Sequence, residues 1–166
     1  MNTSSNLQLT KLVWYDLAIL SVIYFVPTLS HLFSFPLYLM EPMRLAVLGS
    51  YLFLRNRNNS YIMALTLPLF SYIVAGHPIA VKNAIIAIEL VTNVFILDLI
   101  LKRSNKVFLT TFSSILLSKL LYYVLKGLTL YSGLLSTIFI DTSIWIQLIT
   151  SIAISVLFSV VYTKKR

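Results

Sequence analysis

The chain has 166 residues, 58% of them hydrophobic and 11% charged, with four glycines and a net charge of +8. A water-exposed surface cannot be assembled from so few polar groups, so an integral membrane protein is expected rather than a soluble domain. The absence of cysteine excludes a disulfide scaffold, thiolate metal sites and thiol nucleophiles together.

No linker, low-complexity tract or internal repeat divides the sequence, and one polytopic membrane domain over 1–166 is expected, an all-α bundle of about six transmembrane helices. The first span covers about Val13 to Leu29. Pro27 near its end and His31 just after it stand in place of a small-residue cleavage site, so it reads as a membrane helix and not as a removable signal. The second and third spans, about Leu37 to Leu54 and Tyr61 to Ala75, are short for a bilayer. Pro68 interrupts the third, so tilted, kinked or re-entrant segments are open there. The remaining spans are about Ile79 to Leu101, Val107 to Leu125 and Ser143 to Tyr162.

The cations lie in short clusters between these spans and do not form one basic patch, which argues against a nucleic-acid partner. "RNRNNS" at 55–60, "KRSNK" at 102–106 and the final "TKKR" alternate with connections that hold few cations. With six spans, the basic set and Lys11 fall on one side, predicting that both termini are cytoplasmic. On this assignment His31, Glu41, Arg44, His77, Lys82, Lys119, Lys126 and Asp141 map to the outer half. Asp16 and Asp98 lie near inner helix ends, within reach of cytoplasmic cations.

The fourth span, "PIAVKNAIIAIELVTNVFIL", carries Lys82, Asn83, Glu89 and Asn93. At 100° per residue, Lys82, Glu89 and Asn93 fall within about 40° of one another, and Glu89 lies roughly 15 Å along the helix. A charge facing lipid at that depth costs at least about 2.5 kcal/mol, so the stripe must face protein or water. Three arrangements satisfy this. A structural network would have Lys82 share partners with Glu89 or pair with Arg44 and Glu41. A polar pocket would open outward, and an ion path would need a relay that the sequence does not display.

"YLMEPMRLAV" places Glu41 and Pro42 at the start of the second helix and Arg44 three residues after Glu41, on the same face. Glu41 reads equally as a cap with a local ion pair or as a ligand contact, whereas the Arg44 guanidinium suits two-pronged binding of carboxylate or phosphate. In "AGHPIA", Gly76 permits a tight turn and His77 stands at the mouth, with solvation and ligand contact both open to it. The candidate substrate-binding set is therefore Arg44, Lys82, Glu89, Asn93, Glu41, His77 and Lys119. Tyr38, Tyr72, Tyr122 and Trp145 are available to stack on a ring. No metal-ligand spacing, nucleophile elbow or phosphate loop is present, so neither catalysis nor a cofactor is expected. Ser151, Ser155 and Ser159 recur every four residues, a spacing that suits close helix packing.

Three stretches, "SFPLYLMEPMRLAVL", "GHPIAVKNAIIAIEL" and "SSILLSKLLYYVLKG", together with the hydropathy of nearly the whole chain, resemble the substrate-binding S component of energy-coupling factor vitamin transporters. The resemblance implies six helices, cytoplasmic termini in a prokaryotic inner membrane, an outward-facing pocket for a small vitamin-like molecule, and a transmembrane coupling subunit with ATPase subunits as partners. The near balance of outer-half cations (Arg44, Lys82, Lys119, Lys126) and acids (Glu41, Glu89, Asp141) suits an anion or a zwitterion. Members often carry an alanine-x-x-x-alanine docking face on the first helix, where this chain has Ala18 and Ser21; these residues and the sixth-helix serines are the expected docking faces. A weaker resemblance is to rod-shape-determining MreD-like membrane proteins, which would imply a scaffold in a cell-wall or cell-shape complex.

Overall fold

The computed structural model describes residues 3–32, 37–75 and 79–164, and these form six α-helices with no strand. They are α1 (Thr3–Leu32), α2 (Pro42–Phe53), α3 (Arg57–Ala75), α4 (Ala80–Leu101), α5 (Val107–Tyr131) and α6 (Ile144–Lys164), with a 3-10 turn at Leu37–Met40 ahead of α2. Four helices, α1, α4, α5 and α6, are long and apolar enough to cross a membrane.

The two remaining helices depart from the expected set of six full spans. At 12 residues α2 is only about 18 Å long, against a hydrocarbon core of about 30 Å. Its hydropathy has another cause: Arg44, Ala46, Val47, Leu48, Gly49, Ser50 and Leu52 are all buried, so α2 is apolar because other helices surround it. The helix α3 runs unbroken through Pro68, but it opens on Arg57, Asn58 and Asn59, which lower its hydropathy.

Two apolar clusters meet on α2. Ala46 and Val47 pack with Ile23, Met63, Ala64, Leu67, Leu90 and Val94 from α1, α3 and α4. On its other side Leu48 and Leu52 pack with Leu97, Ile115, Ile154 and Phe158 from α4, α5 and α6. Outside this core the distribution of polarity is reversed relative to a water-soluble protein. Trp14, Ile73, Leu120, Ile138 and Trp145 are exposed, while Ser50, Asn93, Thr111, Ser114, Ser118, Ser151 and Ser155 are fully buried. Exposed apolar surface on this scale marks a molecule surrounded by lipid or by partner proteins.

Polar contacts set the helix directions. Arg44 pairs with Glu89 and Tyr51 with Asp98, so α2 and α4 run the same way. Asn93 bonds to Ser118 while Lys82 and Lys126 meet at Asp141, so α5 runs opposite to α4. Lys119 approaches Gln147 while the start of α5 and the end of α6 line one cleft, so α6 runs opposite to α5. Tyr15 donates to the Ala46 carbonyl and Asn59 donates to Asp16, which sets α1 against α2 and starts α3 at the Asp98 end. The start of α1 and the end of α6 therefore lie at that same end of the bundle.

The approach of α1 to α2 depends on one small residue. A Cβ added at Gly49 would lie 2.4 Å from the Tyr15 hydroxyl oxygen, which itself donates to Ala46 O at 2.9 Å. Gly49→Ala should push the ring aside and lose that hydrogen bond, about 1 kcal/mol. Tyr15→Phe loses the bond without the clash, so thermal unfolding in detergent should rank wild type above Tyr15→Phe and Tyr15→Phe at or above Gly49→Ala.

Candidate functional site

Glu41 occupies the N-cap of α2, and Pro42 follows it at the first helical position, where its missing N–H costs nothing. Its backbone is left-handed at φ 51°, a conformation that costs a non-glycine residue roughly 1–2 kcal/mol. The carboxylate does not cap its own helix. It turns instead to Arg44 and to Lys119 of α5.

Arg44, one turn further on, is 3% exposed. Its Nη2 donates to Glu89 Oε1 of α4, and its Nε lies 2.9 Å from Glu41 Oε2 as an ion pair without hydrogen-bond alignment. Lys119 donates to Glu41 Oε1 and lies 3.5 Å from Gln147 Oε1 of α6. Gln147 in turn donates from Nε2 to the Tyr123 hydroxyl and to the Thr142 carbonyl. Two cations and two carboxylates thus alternate across α2, α4 and α5, and the chain of contacts ends on α6. Arg44 Nη1, Arg44 Nε and Glu41 Oε2 are buried and have no hydrogen-bond partner.

Below this group, Asn93 is fully buried and donates to Ser118 at 3.1 Å, leaving its own carbonyl oxygen unbonded. Of the expected site residues, Arg44, Glu89, Glu41 and Lys119 therefore come together, and Asn93 lies one helical turn from Glu89. His77 lies outside the described residues, as do Gly76 and Pro78 beside it and the side chain of His31.

Lys82 has a different partner from those expected. It reaches neither Glu89 nor the Arg44 pair, but lies 2.5 Å from Asp141 in the connection between α5 and α6. Lys126 approaches the same carboxylate oxygen at 2.9 Å. Burial pushes the Asp141 carboxyl up, but hydrogen bonds and charge from Lys82 and Lys126 outweigh it and hold the group below the usual carboxylate range. The two clusters are neighbours: Lys119 and Lys126 lie seven residues apart on α5, and the Tyr122 ring between them lies 5.9 Å from Lys126 Nζ.

The other aromatic candidates do not converge on this region. Tyr38, Tyr72 and Trp145 are exposed on the outer surface, and only Tyr122 is placed beside the charges. At the opposite end, Asp98 pairs with Lys102 at 2.8 Å and Arg57 at 3.2 Å and accepts from Tyr51, while Asp16 accepts from Asn59. Asp98 thus meets cations at its helix end as expected, whereas Asp16, well inside α1, is held by the Asn59 amide. A cleft of about 330 Å³ also lies at that end, between the start of α5 and the end of α6, lined by Lys106, Phe108 and Tyr162 among others and touching none of the candidate residues.

The expected docking faces separate. Ala18 and Ser21 are exposed on α1, whereas Ser151 and Ser155 are fully buried and donate to carbonyls one turn back, so that part of the serine ladder closes the bundle on itself.

The importance of Gln147, Tyr123 and Asp141 was not apparent from the sequence, although one signal was available. Lys82 and Glu89 are seven residues apart on α4, and Lys119 and Lys126 are seven apart on α5. An antiparallel register that sets Lys82 opposite Lys126 therefore also sets Glu89 opposite Lys119. No family model, curated protein or solved structure matches the chain.

Proposed function

We propose that this chain is the substrate-binding membrane subunit of a small-molecule uptake transporter, similar to the S components of energy-coupling factor systems. The observation that carries the reading is Arg44: a guanidinium buried to 3% exposure that keeps Nη1 without a hydrogen-bond partner and holds Nε beside Glu41 only as an unaligned ion pair. Buried polar groups are rarely left unpaired, and a buried cation with spare donors suits a carboxylate or phosphate that binds in two-pronged fashion. Glu41 and Glu89 beside it would take the cationic end of a zwitterion. The ligand would enter by exchanging partners within the Arg44–Glu89 and Lys119–Glu41 pairs. Energy would come from a coupling subunit and ATPase subunits, and the exposed Ala18 and Ser21 face of α1 is the surface available for docking them.

Native mass spectrometry of protein purified in mild detergent tests this reading. A retained small molecule, lost in Arg44→Lys, supports it, and ligand-free protein that binds no candidate vitamin-like molecule refutes it. The mutual pairing of the charges favours a second reading, an MreD-like scaffold in which they only tie helices together. Recovery with cell-wall synthesis proteins, without an ATPase pair, would select that reading.

In the membrane, we take the 3-10 turn and α2 together as the second crossing and α3 as the third, with both termini cytoplasmic. The basic connections after α2 and α4 support this orientation. The protein has no cysteine of its own. Single cysteines at Asn58 and Ser104 should resist an impermeant thiol reagent on intact cells, and cysteines at His77 and Ser136 should react. Labelling with the opposite pattern would invert the orientation.

A further inference from the structure

Two lysines share one carboxylate at the end of the bundle away from Asp98. Lys82 Nζ and Lys126 Nζ lie 2.5 and 2.9 Å from the same oxygen, Asp141 Oδ2. Lys126 is 1% exposed, and the Asp141 side chain is 32% exposed. The Arg44 group is neutral as a set, but this one carries an excess positive charge, held by a side chain removed from solvent. A buried ammonium costs several kcal/mol unless it is paired, and each ammonium has three donors to satisfy. The cations are fixed on α4 and α5, while the anion comes from residues 132–143, a connection without regular helix.

We propose that Lys82 and Lys126 form a receiving site for the anionic group, carboxylate or phosphate, of an incoming ligand, and that Asp141 is an internal stand-in which that group displaces, releasing the connection between α5 and α6. Exchange of one anion for another keeps the buried lysine paired throughout. Asp141, already partly exposed, passes into water at small cost. A phosphate dianion would neutralise both lysines, whereas a carboxylate only matches what Asp141 supplies, so phosphate is the stronger competitor. The link to transport rests on the substrate-binding reading above, but the displacement itself is measurable without uptake.

The test uses the full chain in nanodiscs of zwitterionic lipid, with a nitroxide on Ser136→Cys in the exposed connection. Inorganic phosphate should mobilise the label at a concentration at least about fivefold below acetate, and chloride at equal ionic strength should not. In Asp141→Asn the label should be mobile from the start, and phosphate should protect against heat with half-saturation about tenfold lower than in wild type, because the competitor is gone. Lys82→Gln, at a partly exposed position that tolerates the change, should remove the phosphate response, as should Lys126→Gln. Mobilisation by phosphatidylglycerol without added phosphate would assign the anion to a lipid headgroup; mobilisation by phosphate alone would assign it to a soluble ligand. An immobile label in Asp141→Asn, an equal response to chloride, or a phosphate response that survives both lysine replacements would overturn the proposal. Release of the connection by phosphate, with no small molecule retained in native mass spectrometry, would leave the anion site standing and remove the transport reading alone.

Discussion

Arg44→Ala should be the most damaging single substitution in this chain, lowering stability by about 3–5 kcal/mol. The side chain sits between Glu41 and Glu89, and both of those carboxylates lose their cation from one side when it is removed. Glu41 keeps Lys119, but Glu89 keeps no hydrogen-bonded cation and must stay buried at 6% exposure. Arg44→Ala combined with Glu89→Gln should recover much of the loss, because the unpaired charge disappears with its partner. Thermal unfolding and monodispersity in detergent measure both proteins. Equal stability of the single and double variants would mean that Arg44 acts through packing and not through charge.

On the proposed substrate-binding reading, Glu89→Gln should behave differently, leaving a folded protein that binds the transported molecule at least about 30-fold more weakly. Glutamine keeps the shape and one hydrogen-bond acceptor toward Arg44, and Arg44 retains Glu41 at 2.9 Å, so the buried cation is not abandoned. The site loses its charge balance, however, and a ligand selected for that balance loses about 2 kcal/mol or more when one fixed charge is removed. Unchanged binding in Glu89→Gln, with Lys119→Gln equally silent, would take this group out of recognition and favour the scaffold reading. A loss of stability as large as that of Arg44→Ala would show that the pair is structural.

The separation of these two effects has a physical basis in α2. A helix of 12 residues buried on all sides cannot hold its position by lipid contact, so it is held by the two apolar clusters and by ion pairs at its start. The left-handed backbone at Glu41 accompanies a carboxylate that leaves its helix start uncapped and reaches Arg44 and Lys119 instead.

The sequence by itself determined the apolar outer surface, the existence and approximate positions of six helices, and the inward aim of Glu89, but not that only four of the helices are long and apolar enough to span a membrane. Each of these follows from local quantities: the hydropathy of a window, the 100° step of a helix, and the cost of an ion in lipid. It also suggested the meeting of Glu41 and Arg44, since three residues on one helix turn bring them together whatever the rest does. Partner choice between helices was decided only by the tertiary structure. Lys82 and Glu89 share one face of α4, which left Glu89, Glu41 and Arg44 all open as neighbours of Lys82, yet seven residues separate the two by about 10 Å along the axis, and Asp141, 59 positions away, arrives within 2.5 Å. The apolar run of α2 was ambiguous for the same reason, because burial in lipid and burial in protein select the same side chains. Only the packing of α1, α3, α4, α5 and α6 around it distinguishes the two.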